Sequence, residues 1–448
     1  MRNSPVAIAR GIAAKLITIF SGTLTFIAKK LKGLGIPIGV VAGIILALSL
    51  NIVTWEEIST VWSTIWNATF TLIALIIIAL ILDKAGFFRL LALQAAYWSL
   101  GRGRLLFILV LLLGASVATC FTNMGAALIW TSTVIEMLLL LGFSSRAILA
   151  FVFAAGLFAD ATSLLLPVSN SVNLISTDYF DIPFLRYFLV MLPVSCVAIA
   201  ISLGVLWFFF DPYIPTKYRV TNLPSSEQVI CDPLVCQWSW AIVGLLLIGY
   251  LVAQALAIPI CLIAGGAAVI LLILAGRWFH NSPAIIPVNQ LGQEVPWLAI
   301  LLSLAMCLVV IDLGNVGMIE LLSQLLEELA NWGLTLIATG TAFLATLLSS
   351  VINNLPTVLI NVQAIQGTTG LDPTIQEVMV YANVIGCTIG AKISPIGSLS
   401  TLIWLNILAR KRLNLNWVQY TRMAIILTIP VLFVSLLSLA MWLPWLIA

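Results

Sequence analysis

Ser349-Ser350-Val351-Ile352-Asn353-Asn354-Leu355-Pro356 and, upstream, Cys120-Phe121-Thr122-Asn123-Met124-Gly125 are short polar interruptions in long apolar regions. The regions that hold them, 333–368 and 105–141, are each long enough for two short helices. Neither can be a single straightforward membrane span, because its middle is polar. Both are read as re-entrant hairpins folding back around the polar tip. Lipid leaves irregular backbone unpaired, so such tips are tolerated at membrane depth only where protein or a water-filled cavity satisfies them.

The surrounding composition requires a bilayer. Of 448 residues, 62% are hydrophobic and 8% charged, against roughly 25% charged in a soluble domain. Packing in water could not hide that much apolar surface. The net charge of +3 gives no nucleic-acid signal, and the single histidine, His280, falls in a polar loop. The seven cysteines lack ligand-like spacing and sit mostly in apolar runs, as small hydrophobes do. Cys231 and Cys236 share a loop placed in the cytoplasm, where a disulfide is not expected. The basic N-terminal stretch is not followed by a small-residue cleavage site, so no removable signal peptide is expected.

A helix crosses a bilayer in about 20 apolar residues. Spans are expected at 34–53, 61–82, 184–210, 238–255, 257–276, 296–313 and 422–446. Two more, 147–176 and 375–407, have polar, proline-containing middles and are read as broken helices. The stretch 11–28, interrupted by Lys15, either spans or lies in the interface. Placing Lys29, Lys30 and Lys32 inside also puts Lys84, Arg89, Arg102, Arg104, Arg146, Lys217, Arg219, Arg277, Arg410, Lys411, Arg412 and Arg422 inside. Glu56, Glu57, Asp178, Asp181, Glu320, Glu327, Glu328, Asp372 and Glu377 then collect outside. That asymmetry follows the positive-inside rule.

The two halves can be laid on one another. Gly86-Phe87-Phe88-Arg89-Leu90-Leu91 falls on Gly317-Met318-Ile319-Glu320-Leu321-Leu322, and the same shift sets Thr122-Asn123 on Asn353-Asn354. Pro167-Val168-Ser169-Asn170 and Asn173 fall on Pro395-Ile396-Gly397-Ser398 and Thr401 with a shift only three residues smaller. The first glycine segment lies in a basic, inner region and its mate in an acidic, outer one, so the repeat is inverted. The expected fold is an all-α polytopic membrane protein of two inverted repeats, with about ten transmembrane helices, two re-entrant hairpins and two broken helices. The first repeat covers 1–210, a cytoplasmic linker 211–237, and the second repeat 238–448.

Paired hairpins and broken helices are how secondary transporters bind solutes near the midplane. A break exposes backbone N–H and C=O groups and two half-helix ends. Ser, Thr and Asn add short donors and acceptors that replace part of a solute's hydration shell. Pro167 and Pro395 oppose helix continuation and mark the breaks. The expected solute-binding residues are therefore Thr122, Asn123, Ser169, Asn170, Asn173, Asn353, Asn354, Gly397, Ser398 and Thr401. Any single hydroxyl among them can instead bond back to its own helix. Charges at this depth cost roughly 2.5–3.5 kcal/mol on insertion scales. Asp160 and Lys392 thus either couple protons or form a structural ion pair; Glu136 and Asp312 are weaker candidates nearer an interface. No metal site or cofactor is expected, and one loop histidine without a phosphate loop excludes an enzyme reading.

At these residues the chain resembles the arsenite permease (ArsB) family of the ion transporter superfamily. The most specific stretch is Met379-Val380-Tyr381-Ala382-Asn383-Val384-Ile385-Gly386-Cys387, followed by Pro395-Ile396-Gly397-Ser398-Leu399 and Thr401-Leu402. Asn123 with Gly125-Ala126-Ala127-Leu128, Ala159-Asp160, Val168-Ser169-Asn170 and Asn353-Asn354 with Pro356-Thr357-Val358-Leu359 support it. The resemblance implies export of trivalent arsenic and antimony from the cytoplasm across the inner membrane by proton antiport, with a soluble ATPase subunit able to join some members. The partners implied are the neutral arsenic or antimony trihydroxide, protons and the lipid bilayer, with no nucleic acid. Met124 and Thr388 stand where the family pattern has acidic residues, and Ala391 replaces a proline of that pattern. Those departures keep open a neutral-solute permease with weakened proton coupling. A sodium/proton or carboxylate carrier of the same superfamily is the other alternative.

Overall fold

A computed structural model describes residues 54–447 apart from 221–222, 279–284, 287, 316 and 414. The expected spans 11–28 and 34–53, and His280, lie outside the described residues. Among those described, seven helices are long and apolar enough to cross a membrane. Shorter apolar helices, Ile260–Gly276, Trp297–Cys307 and Leu399–Arg410, accompany them. The expected spans appear as Trp55–Ala85, Phe184–Phe210, Pro233–Ala255, Ile260–Gly276, Trp297–Asn315 and Trp417–Ile447.

Local chemistry sets the helix ends. Thr54 caps Trp55–Ala85 through a reciprocal box: its hydroxyl accepts from the Glu57 N–H at 3.3 Å, and the Glu57 carboxylate accepts from the Thr54 N–H at 2.7 Å. The same helix stops at Gly86, whose φ of 90° is open to glycine and costly for other residues. A side chain there would also strike the Val229 carbonyl of the linker, 2.2 Å from where a Cβ would sit.

The first hairpin is Gly103–Gly125, a π-helical turn Ala126–Trp130, and Thr131–Leu140. The chain doubles back at Phe121 and Thr122, whose backbone leaves the helical region, and this brings the Trp130 indole N–H to the Val110 carbonyl at 3.3 Å. The second hairpin is Leu334–Ile352 and Asn354–Gln366. The broken helices are Ser145–Thr162 with Ser171–Tyr179, and Pro373–Ile389 with Leu399–Arg410. A 3-10 turn occupies each break, Pro167–Ser169 and Gly390–Ile393.

Backbone angles repeat between the halves at the positions that align in sequence. Thr122 has φ 69°, ψ 153°, and Asn353 has φ 85°, ψ 155°. Leu166, ahead of Pro167, has φ −120°, ψ 146°; Ser394, ahead of Pro395, has φ −114°, ψ 143°. Asn170 and Ser398 are likewise both extended, at −149°, 140° and −142°, 138°. Gly86 and Gly317 both take left-handed angles, each opening a short helix.

The apolar core has two lobes, one around each hairpin. The first-hairpin lobe takes Leu399, Trp404, Tyr420 and Leu427 from the second half. The second-hairpin lobe takes Val172, Tyr187, Val190 and Val194 from the first half. Each hairpin is therefore seated by helices from both ends of the chain. The long helices Phe184–Phe210 and Trp417–Ile447 pack on one another and turn Phe208, Phe433 and Met441 outward. Lipid is the solvent that suits such a surface. The two breaks lie where the lobes meet, and there the polar side chains concentrate.

Candidate functional site

Asp160 sits in the last turn of Ser145–Thr162, just before the first break, and Lys392 sits in the 3-10 turn of the second. Their side chains pair at 2.9 Å and are almost wholly buried. The Asn123 amide, from the first hairpin tip, donates to the other oxygen of the same carboxylate. The Lys392 ammonium also donates to the Ser400 hydroxyl at 3.2 Å, and Ser400 bonds Ser398 at 2.7 Å. The Tyr420 hydroxyl holds the Lys392 carbonyl at 2.9 Å, fixing the turn that carries the ammonium. A line of polar groups thus runs from the first hairpin tip, through the first break, into the second.

The second hairpin tip meets its break through backbone. The Asn354 N–H donates to the Gly397 carbonyl at 2.9 Å, and the Asn353 amide donates to the Ile396 carbonyl at 2.9 Å. Gly397 lets the break fold tightly on itself and against the hairpin, since a Cβ there would lie 2.1 Å from the Ala391 carbonyl and 3.0 Å from that of Ser349. The Asn170 amide reaches the Thr388 hydroxyl at 3.4 Å, a second tie between the breaks.

Several expected residues are brought together here: Asn123, Asp160, Lys392, Ser398, Asn170, Asn353, Asn354 and Gly397. Thr122 forms the turn itself, its hydroxyl accepting from the Gly125 N–H at 3.2 Å. Ser169 and Asn173 turn their donors inward. The Ser169 hydroxyl goes to the Ser163 and Leu166 carbonyls, and the Asn173 amide goes to the same two at 2.7 and 3.0 Å. These two brace the orphan carbonyls that the break creates. Thr401 is buried on the first turn of Leu399–Arg410.

Sequence reading passed over Ser400 as a site residue and did not single out Tyr420 or the buried pair Asn361 and Asn383, whose amides bond at 2.7 Å. Ser400 was legible, standing two residues after Ser398. Tyr420 was not, because only packing brings it to Lys392. Among the described residues no group of His, Cys, Asp and Glu converges as metal ligands. All seven cysteines are free.

Two small cavities flank the ion pair. One, of about 20 Å³, is lined by Asp160, Lys392, Ser202 and Thr428. The other, of about 10 Å³, is lined by Asn123, Trp130, Gly156, Lys392 and Trp404. Each has room for about one water. Burying two charges costs several kcal/mol per ion, and only close pairing with further hydrogen bonds offsets it. Here the ion pair is joined by one hydrogen bond to the carboxylate, from Asn123, and one from the ammonium, to Ser400.

Two unwound helices meeting between re-entrant hairpins, with a buried ion pair at the junction, define a multi-pass membrane transport protein. The YdaH transporter of Alcanivorax borkumensis has a related fold, with a TM-score of 0.50 over 87% of each chain at 12% identity. The family model for the arsenical pump membrane protein, ArsB, matches residues 15–443. An arsenical pump membrane protein of Yersinia enterocolitica is 47% identical over 93% of this chain and 96% of its own length. One from Escherichia coli is 45% identical over 94% and 97%, and a putative one from Bacillus subtilis is 26% identical over 95% and 99%. The chain belongs to the arsenical pump membrane protein (ArsB) family.

Proposed function

We propose that this protein exports trivalent arsenic or antimony hydroxide from the cytoplasm across the inner membrane, by proton antiport with alternating access of two inverted repeats. The observation that carries the reading is the Asn123–Asp160–Lys392 network at the junction of the breaks. A neutral trihydroxide offers only hydroxyl donors and acceptors, which suit carbonyls, amides and hydroxyls freed by unwinding. The matched backbone angles of the two tips and two breaks support the repeat, and the basic and acidic loop distribution supports its inversion.

Met124 and Thr388 carry no charge, so Asp160 is the carboxylate at the junction. A proton arriving there neutralises it, loosens its hold on Lys392 and Asn123, and frees both breaks to rearrange around the solute. Loss of the proton on the other side re-forms the pair. Proton and solute then use the junction in turn, which is antiport. A soluble ATPase subunit would add a second energy source without altering this centre.

Everted vesicles test the reading. Arsenite and antimonite uptake should follow an imposed pH gradient, inside acidic, and collapse with a protonophore. Uptake driven by a sodium gradient would favour the sodium or carboxylate carrier, and absence of arsenite flux with the protein present in the membrane would remove the substrate.

A further inference from the structure

A larger cavity, of about 590 Å³, is lined in part by Asp178 and Asp181, two of the acidic residues expected outside. Its wall includes Asn67 of Trp55–Ala85, Thr177 and Asp178 at the end of the first broken helix, Asp181 beyond it, and Tyr250 of Pro233–Ala255. Pro167 lies in its lining, so the cavity reaches the first break from outside. Lysine and arginine are missing from its lining among the described residues.

Asn67 is a buried polar residue on a helix face that also carries Ser63, Thr64 and Thr71. Its amide donates to the Asp178 carboxylate at 2.7 Å, and its carbonyl oxygen accepts from the Cys261 N–H at 3.0 Å. One side chain thus clamps the outer half of the broken helix to two scaffold helices. The strength of the clamp depends on the charge of Asp178, since a hydrogen bond to an ionised acceptor is roughly twice as strong as one to a neutral group.

We propose that this cavity is the outer proton-access vestibule of the transporter, and that Asp178, held by Asn67, is the positioning residue through which outer protons release the segment Ser171–Tyr179. The inference rests on the antiport reading above and adds its outer gate. When Asp178 is ionised, the Asn67 bond anchors the segment beside Pro167. A proton from outside adds to the Asp178 carboxylate, the charge is lost, and the anchor weakens. The segment then moves relative to Trp55–Ala85, opening the vestibule floor toward the junction.

The groups facing Asp178 fit that role. Asp181 is the neighbouring charge, Tyr179, Tyr250 and the Cys261 thiol are neutral, and the scaffold side offers the Asn67 amide and the Cys261 N–H. The Asn67 bond favours the ionised carboxylate and Asp181 opposes it by like-charge repulsion. The anchor is therefore strong while the carboxylate is ionised and weakens as the outer pH falls and protonates it.

The test is pH-dependent labelling of Thr177→Cys, in a chain whose native cysteines are replaced, by a membrane-impermeant thiol reagent in right-side-out vesicles. Thr177 is buried at the cavity edge. Labelling should rise about tenfold between outer pH 7.5 and 5.5, relative to the same chain with Asp178→Asn, which cancels the reagent's own pH dependence. Asp178→Asn and Asn67→Ala should each label at a high, flat level, and Asp178→Glu should restore the profile. A profile unchanged by Asp178→Asn, or flat with Asp178 present, overturns the proposal. Should the cysteine-replaced chain not reach the membrane, the native chain is read by the outer-pH dependence of flux. There Asp178→Asn should flatten the response while Asp178→Glu keeps it, and equal responses overturn the gate. Asp178-dependent labelling without arsenite flux sinks the substrate assignment alone, whereas arsenite flux with pH-independent labelling sinks this gate alone.

Discussion

The two hairpin tips share a backbone and differ in what holds them. Thr122 and Asn353 take nearly the same left-handed extended turn. The residue after Thr122 bonds a carboxylate, Asp160, which can gain a proton. The second tip bonds main-chain carbonyls of Ile396 and Gly397, which cannot. One tip is therefore held by a tie that protonation can loosen, and the other by a fixed one. Under the proposed antiport, the halves would then have different duties: the first would sense the proton, while the second would keep the shape of the binding surface.

The largest effect expected from breaking this comparison is at the ion pair. Asp160→Asn leaves Lys392 buried without its counter-charge and should cost about 3–5 kcal/mol of stability, seen as a lower melting temperature in detergent. Adding Lys392→Met should recover most of that loss, because a buried pair replaced by neutral groups is often near neutral. Neither variant should show pH-gradient-driven flux. A double variant as unstable as the single one would deny that the pair is coupled.

Gly397→Ala comes next. The methyl would meet the Ala391 carbonyl at 2.1 Å, so the break must shift, and flux should fall about 100-fold if the shift costs about 3 kcal/mol. Wild-type flux in this variant would mean that the second break relaxes freely.

The smaller effects separate the tips. Asn123→Ala removes a hydrogen bond to a charged group, worth about 1.5–3 kcal/mol, and should displace the pH profile of transport. Asn353→Ala removes a bond to a neutral carbonyl, worth about 1 kcal/mol. It should lower stability or maximal flux without displacing that profile. Equal displacement by both would erase the distinction between the tips.

The helices themselves were legible in the chain. Apolar runs of bilayer length mark the spans from 61–82 onward, and Pro167 and Pro395 mark the breaks, because proline removes a donor that the helix needs. The polar tips were legible because lipid penalises them unless they have a role. What could not be read was how the donors are used. Ser169 and Asn173 look like solute ligands in sequence, yet both satisfy carbonyls left open by their own break. Asn67 drew no notice in sequence, because its partners lie 111 and 194 positions away.

Sequence by itself determined that this is a membrane protein with two interrupted apolar regions and two broken spans, because bilayer thickness and backbone hydrogen bonding are local demands on the chain. Tertiary structure alone decided that Asp160 meets Lys392, that Tyr420 steadies the turn carrying Lys392, and that Asn67 reaches Asp178. Side chains find such partners only when helices distant in sequence pack together, and no periodicity along the chain encodes which ones will.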